Sequence, residues 1–162
     1  MSMTKLSLLF TLVLVAPWTQ AAEILTQDSV KRLMESVYTN IGKQDPKSVV
    51  RDFTNDAQIT LDLPERLGGH IKMNIERYQA MLRQTFAIAS HYEFEVRNTK
   101  IYISSDQRTA TVTEEIHEKM QSNGITIVSS TTQTANIVLD ADKPKLKKLY
   151  GHVKVHPPVP GG

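Results

Sequence analysis

The chain has 162 residues and a formal net charge of +2, from nineteen Lys plus Arg against seventeen Asp plus Glu, with no cysteine. That composition excludes a disulfide framework, a thiolate metal centre and a thiol nucleophile. The charge is nearly balanced and the basic residues are dispersed outside Lys143 to Lys148, which argues against nucleic acid as a partner.

Residues 1–21 read as an export signal. Lys5 supplies a positive start, Leu6 to Ala16 is an apolar and hydroxyl run, Pro17 breaks it, and Ala21-Ala22 offers small residues for cleavage. The run is shorter than the roughly 20 apolar residues that cross a bilayer, so stable membrane insertion is not expected. The mature chain is expected in the periplasm or secreted. Residues 22–156 then form one domain of common single-core size, and the Pro- and Gly-rich 157–162 form a loose tail.

The mature part opens with helices. Val30, Leu33, Met34, Val37, Tyr38 and Ile41 recur at helical spacing, with Thr26, Asp28 or Ser29 to cap the start and Gly42 placed for a left-handed stop. Asp45-Pro46 is a capping acid followed by a first-turn proline, and Val49, Val50 and Phe53 give a short second helix its apolar stripe. The period then changes to two: Ala57, Ile59, Leu61 and Leu63 alternate with polar residues, until Pro64 ends the strand. Gly68-Gly69 is expected in a loop. Asn74 caps a third helix carrying Ile75, Tyr78, Met81, Leu82 and Phe86.

From Tyr92 onward the pattern is strand after strand. Tyr92, Phe94 and Val96 share one phase while Ile101 and Ile103 share the other, which predicts a bulge near Arg97 to Thr99. Asn123-Gly124 is a strong two-residue hairpin signal. Pairing Ser122 with Ile125 sets Met120 opposite Ile127, Glu118 opposite Ser129, Ile116 opposite Thr131, Glu114 opposite Gln133, Val112 opposite Ala135 and Ala110 opposite Ile137. All of these then lie on one largely apolar face, and a one-residue slip would invert them. Lys145 to His156 reads as the last strand. The expected fold class is α+β: three N-terminal helical segments packed on a strongly bent antiparallel sheet.

Leu33-Met34, the Asp45 helix cap and the step Phe53-Thr54-Asn55-Asp56-Ala57 into the first strand, taken with the element order, resemble the nuclear-transport-factor-2-like superfamily, also called SnoaL-like or cystatin-like. The resemblance spans nearly all of the mature chain. It implies helices closing one side of a curved sheet to leave a conical pocket, and homodimerisation through the sheet. Members include steroid isomerases, dehydratases, epoxide hydrolases, polyketide cyclases and many binding or assembly modules, so fold alone does not give function. Carried over residue by residue, the steroid-isomerase tyrosine falls near Val37, its base at Leu61 and its second acid at about Ala135. All three are apolar here, which argues against steroid isomerisation by that apparatus.

The predicted inner face carries the candidate chemistry. Glu114 and Glu118 sit on an apolar face, where burial raises a carboxyl pKa and equips it for acid–base work; they are the candidate catalytic residues. Gln133 lies opposite Glu114, and Tyr38 and Tyr78 reach toward the same space from the helices. Tyr38, Tyr78, Glu114, Glu118 and Gln133 are therefore the expected ligand-binding set. His70, His91, His117, His152 and His156 lack the paired spacing of a zinc motif, so no metal and no cofactor are expected. The leading expectation is an exported domain that binds a small, partly apolar molecule without transforming it. The alternatives are an acid–base isomerase, dehydratase or hydrolase, and a homodimeric interaction module.

Overall fold

The computed structural model describes residues 23–157; the expected signal segment and most of the expected tail lie outside the described residues. Three α-helices, one 3-10 turn (Glu65–Leu67, between β1 and β2) and six strands are seen among the described residues, in the order α1 (Gln27–Gly42), α2 (Pro46–Val50), β1 (Phe53–Asp62), β2 (His70–Met73), α3 (Ile75–Ile88), β3 (His91–Ile103), β4 (Thr109–Ser122), β5 (Ile125–Asp140) and β6 (Lys143–Val155).

Local chemistry explains the helix ends. Thr26 caps α1: its hydroxyl accepts from the Ser29 amide at 3.1 Å while the Ser29 hydroxyl accepts from the Thr26 amide at 2.9 Å. This reciprocal pair satisfies two amides that the helix leaves without partners. Asp45 caps α2 by accepting from the Ser48 amide at 3.1 Å, and Asn74 caps α3 by accepting from the Arg77 amide at 3.0 Å. The expected left-handed stop at Gly42 is not used. Lys43 caps α1 in a right-handed conformation and the reversal falls on Gln44, with φ 53°. The Asp45 amide still reaches back to the Asn40 carbonyl at 3.0 Å, so the turn into α2 begins two residues after Gly42.

The six strands form one sheet in the order β2-β1-β6-β5-β4-β3. Here the expected all-antiparallel sheet is corrected: β1 and β6 run parallel, with Ile59 beside Leu149 and Leu61 beside Gly151, so the sheet is mixed. The reason is topological. The last strand returns between β5 and the first strand, and that long-range pairing leaves no local pattern. β2 is a second correction. The segment after Gly68-Gly69 pairs antiparallel with β1 from Ile59–Met73 to Asp62–His70. At four residues with one buried side chain, it carries too short an alternation to read as a strand.

The β4–β5 hairpin has the register expected from Asn123-Gly124, including Glu114 opposite Gln133 and Glu118 opposite Ser129. Asn123 and Gly124 adopt φ 51° and 77°, the positive pair that this turn requires. The expected bulge is also present. Arg97 pairs with Glu115 and Lys100 with Thr113, so Asn98 and Thr99 together oppose Glu114. Further register shifts fall near the start of β1 and between Asn136 and Ile137 on β5. Such irregularities bend and twist a sheet. The helices cover the inner face, burying Val30, Leu33 and Val37 of α1 together with Ile59, Val112, Ala135, Ile137 and Leu146 of the sheet.

Candidate active site and binding cavity

The core does not fill the whole space between helices and sheet. Between α1, α3 and the inner face lies a cavity of about 270 Å³. Its walls are mainly apolar and aromatic, with Met34 and Tyr38 from α1, Tyr78, Met81 and Phe86 from α3, and Tyr92 and Phe94 from β3. Helical spacing brings the α1 and α3 residues to one stripe, and the period-two alternation of β3 brings Tyr92 and Phe94 to the same side. The polar lining comes from Thr85, Glu118, Thr131 and Gln133 together with the tyrosines.

Two carboxyl groups on β4 organise this polar lining. Glu114 is buried at 3% exposure. The Tyr38 hydroxyl donates to its Oε1, and the Gln133 side-chain amide donates to the same oxygen at 2.8 Å and to the Tyr38 oxygen at 3.2 Å. The hydroxyl of Thr99, which lies inside the bulge, donates to Oε2 at 3.4 Å. Burial pushes the Glu114 carboxyl up to about 7, and the Gln133 hydrogen bond offsets part of that rise. Glu114 itself is not part of the cavity wall. Tyr38 and Gln133 are, so Glu114 stands one hydrogen bond behind the surface.

Glu118, four residues on and on the same face, does line the cavity. Its Oε1 accepts from the Tyr92 hydroxyl at 2.5 Å and its Oε2 from the Ser129 hydroxyl at 3.2 Å. Tyr78 is buried on the facing helix, and burial with the nearby Glu118 charge raises its phenol well above the ordinary range. Burial and the Glu118 charge act on Tyr92 in the same direction. Both phenols are thereby held protonated.

The five expected site residues thus gather around one space. Tyr38, Tyr78, Glu118 and Gln133 lie on the wall, with Glu114 directly behind. Two participants were not singled out from sequence, Tyr92 and Thr99. Tyr92 shares its phase with Phe94 and Val96, and Phe94 pairs directly with Glu118, so the β3–β4 register is the missing signal. Thr99 lies inside the bulge, whose position was legible but whose hydroxyl direction was not.

Val37 and Leu61 both line the cavity and Ala135 is buried in the core, so the steroid-isomerase positions remain apolar in three dimensions. Asp62 sits beside His70, with Oδ1 2.5 Å from Nδ1, and accepts from the Tyr150 hydroxyl among exposed side chains. Among the described residues no group of three or more His, Asp or Glu side chains is arranged to hold a metal ion. No described helix is long and apolar enough to cross a membrane.

No protein-family model matches the chain, and no curated protein matches it in sequence. Solved structures do match in shape. A hexachlorocyclohexane dehydrochlorinase from Novosphingobium barchaimii is 13% identical with a TM-score of 0.65, over 82% of this chain and 91% of that one. A protein from Streptomyces avermitilis, named as a dehydratase of the nuclear-transport-factor-2-like family, is 13% identical with a TM-score of 0.62, over 83% and 96%. A conserved protein from Planctomyces limnophilus is 13% identical with a TM-score of 0.68, over 79% and 95%. At such identities the likeness is one of fold, and the helix order, the mixed six-stranded sheet and these matches together give this chain the nuclear-transport-factor-2-like fold.

Proposed function

We propose that this chain is an exported domain that binds a small, partly apolar molecule in a cone-shaped pocket between α1, α3 and the inner face of the sheet. The cavity carries this reading. At about 270 Å³ it lies near the lower end of the roughly 300–1,000 Å³ of ordinary ligand pockets. Its wall combines aromatic and aliphatic side chains with a few convergent polar groups, which is the composition that holds and orients a small ligand. The Lys5, Leu6–Ala16 and Ala21-Ala22 pattern supports export. Native mass spectrometry of gently purified protein tests the reading. A bound small molecule is expected on the wild type, and none on Thr85→Trp, which fills the cavity from α3. A ligand retained unchanged by a folded Thr85→Trp variant would place binding elsewhere.

A second reading is acid–base elimination, favoured by a carboxylate on the cavity wall and by the dehydrochlorinase and dehydratase names of fold relatives. Glu118 would take a proton from carbon while the electron pair forms a double bond and the leaving group departs from the adjacent carbon. Incubating the protein with its recovered ligand in D2O separates the readings. A ligand returned with its mass unchanged supports binding alone; deuterium incorporation or loss of a leaving group supports chemistry.

A further inference from the structure

The cavity wall carries one carboxyl side chain, that of the half-exposed Glu118, and it has no ion-pair partner among the described residues. None of the described residues lining the cavity is Lys, Arg or His. The ion pairs among the described residues are Lys31–Glu35, His70–Asp62, His91–Glu93, Arg97–Glu95 and Lys147–Asp56, none of which involves Glu118. Its two hydrogen bonds come from neutral hydroxyls, Tyr92 and Ser129. Glu118 is half-exposed and also borders an open cleft with His117 and Lys119, but on the cavity side every group around it is apolar or neutral, so a cationic occupant meets no competing positive charge there.

Aromatic rings surround the same spot. Tyr92 packs against Phe86 with ring centroids 5.9 Å apart and against Phe94 at 6.0 Å. Phe94 is the cross-strand partner of Glu118, and Tyr78 faces it from α3 close enough for the Glu118 charge to act on its phenol. All four rings line the cavity. Ring faces attract cations through their quadrupole, most strongly where water is excluded. Both phenols stay neutral donors, so they add no competing negative charge.

We infer that the pocket selects an organic cation, a protonated or quaternary amine on a small apolar body, with its positive end seated against Glu118 within the Tyr78, Phe86, Tyr92 and Phe94 rings. The apolar body extends toward Met34 and Met81, and Gln133 on β5 with Tyr38 on α1 offers a second polar contact farther along the wall. An anionic ligand is disfavoured by the same charge. This inference rests on the pocket reading and adds the chemical class of its occupant.

The test uses two probes of equal shape, benzyltrimethylammonium and its neutral carbon isostere neopentylbenzene. Their binding is read from the shifts of 13C-labelled methyls of Met34 and Met81 in the folded protein. The expected result is that the cation binds at least about tenfold more tightly than the isostere, and that Glu118→Gln, which keeps a side chain of the same size, removes the preference. Equal binding of both probes, or a preference that survives Glu118→Gln, overturns the cation assignment and leaves the pocket reading standing. Methyls that respond to neither probe overturn both. A Tyr92→Phe variant serves as a second arm: it keeps the ring and removes the hydroxyl, and the cation preference is expected to persist.

Discussion

The hydroxyl of Tyr38 on α1 donates to the buried carboxyl of Glu114 on β4, a contact between residues 76 positions apart. It ties the first helix to β4, the strand next to the sheet edge at β3, just behind the cavity wall. The Gln133 amide completes the cluster by donating to both partners. An acid this enclosed costs stability whenever it ionises, and the tyrosine and glutamine set how much.

Wild-type stability is therefore expected to fall as pH rises from about 4.5 to 7. Glu114 is raised from its ordinary 4.5 to about 7 in the folded protein. In that interval the unfolded chain has already released the proton while the folded one still holds it, so rising pH favours unfolding. Below the interval both states are protonated, and above it both are ionised, so the loss is confined between them. A displacement from 4.5 to about 7 corresponds to on the order of 3 kcal/mol. Urea titrations across this range should show the slope in wild type and its absence in Glu114→Gln. The paired carboxylates Asp45, Asp56 and Asp62 have lowered values and act only at more acidic pH.

Tyr38→Phe should destabilise the fold by about 1–2 kcal/mol, because it leaves a buried carboxyl short of one donor. Glu114→Leu in the same background should recover part of that loss, since both ends of the bond are then gone. A double-mutant cycle from thermal melts measures the coupling. Additive effects would show that the hydroxyl and the carboxyl do not interact.

Gly151→Val should reduce both stability and ligand uptake. Gly151 is buried on β6 between Leu61 and Gln133. A Cβ there would lie 3.0 Å from Leu61 Cδ2 and 3.2 Å from Thr131 Cγ2, both on side chains that line the cavity. Overpacking of this kind costs about 1–3 kcal/mol. Both crowded side chains line the cavity, so calorimetric titration with a probe that binds wild type should show weaker binding even at temperatures where the variant is folded.

A homodimer through the outer sheet face is expected in solution. That face exposes Tyr102 at 61% and Tyr150 at 42%, among threonines and charged side chains, so an interface formed there would be polar and wet. Light scattering should give a dimer mass at micromolar protein that dissociates with Tyr150→Asp. A monomer at millimolar concentration would contradict it.

Much of the site was legible because it rests on period and turn chemistry. The Asn123-Gly124 turn sets Glu114 opposite Gln133 and Glu118 opposite Ser129, and the phase change after Val96 locates the bulge. What escaped is non-local. The β1–β6 pairing joins Ile59 to Leu149 across nearly the whole domain, with no adjacent turn to announce it. The short edge strand His70–Met73 carries one buried residue and reads as loop. The phase of Tyr92 with Phe94 and Val96 is legible, but its bond to Glu118 needs the β3–β4 register and the side-chain direction together.

On the reading proposed above, the space beneath α1 and α3 is a ligand pocket anchored at Glu118. A crystal structure of the protein purified from its native source without denaturation tests it most directly. Density is expected for a small molecule bounded by Tyr78, Tyr92 and Phe94, with a polar or charged atom within about 3–4 Å of the Glu118 carboxylate. A cavity closed by inward movement of Met81 and Phe94, with Glu118 turned to solvent, would contradict it.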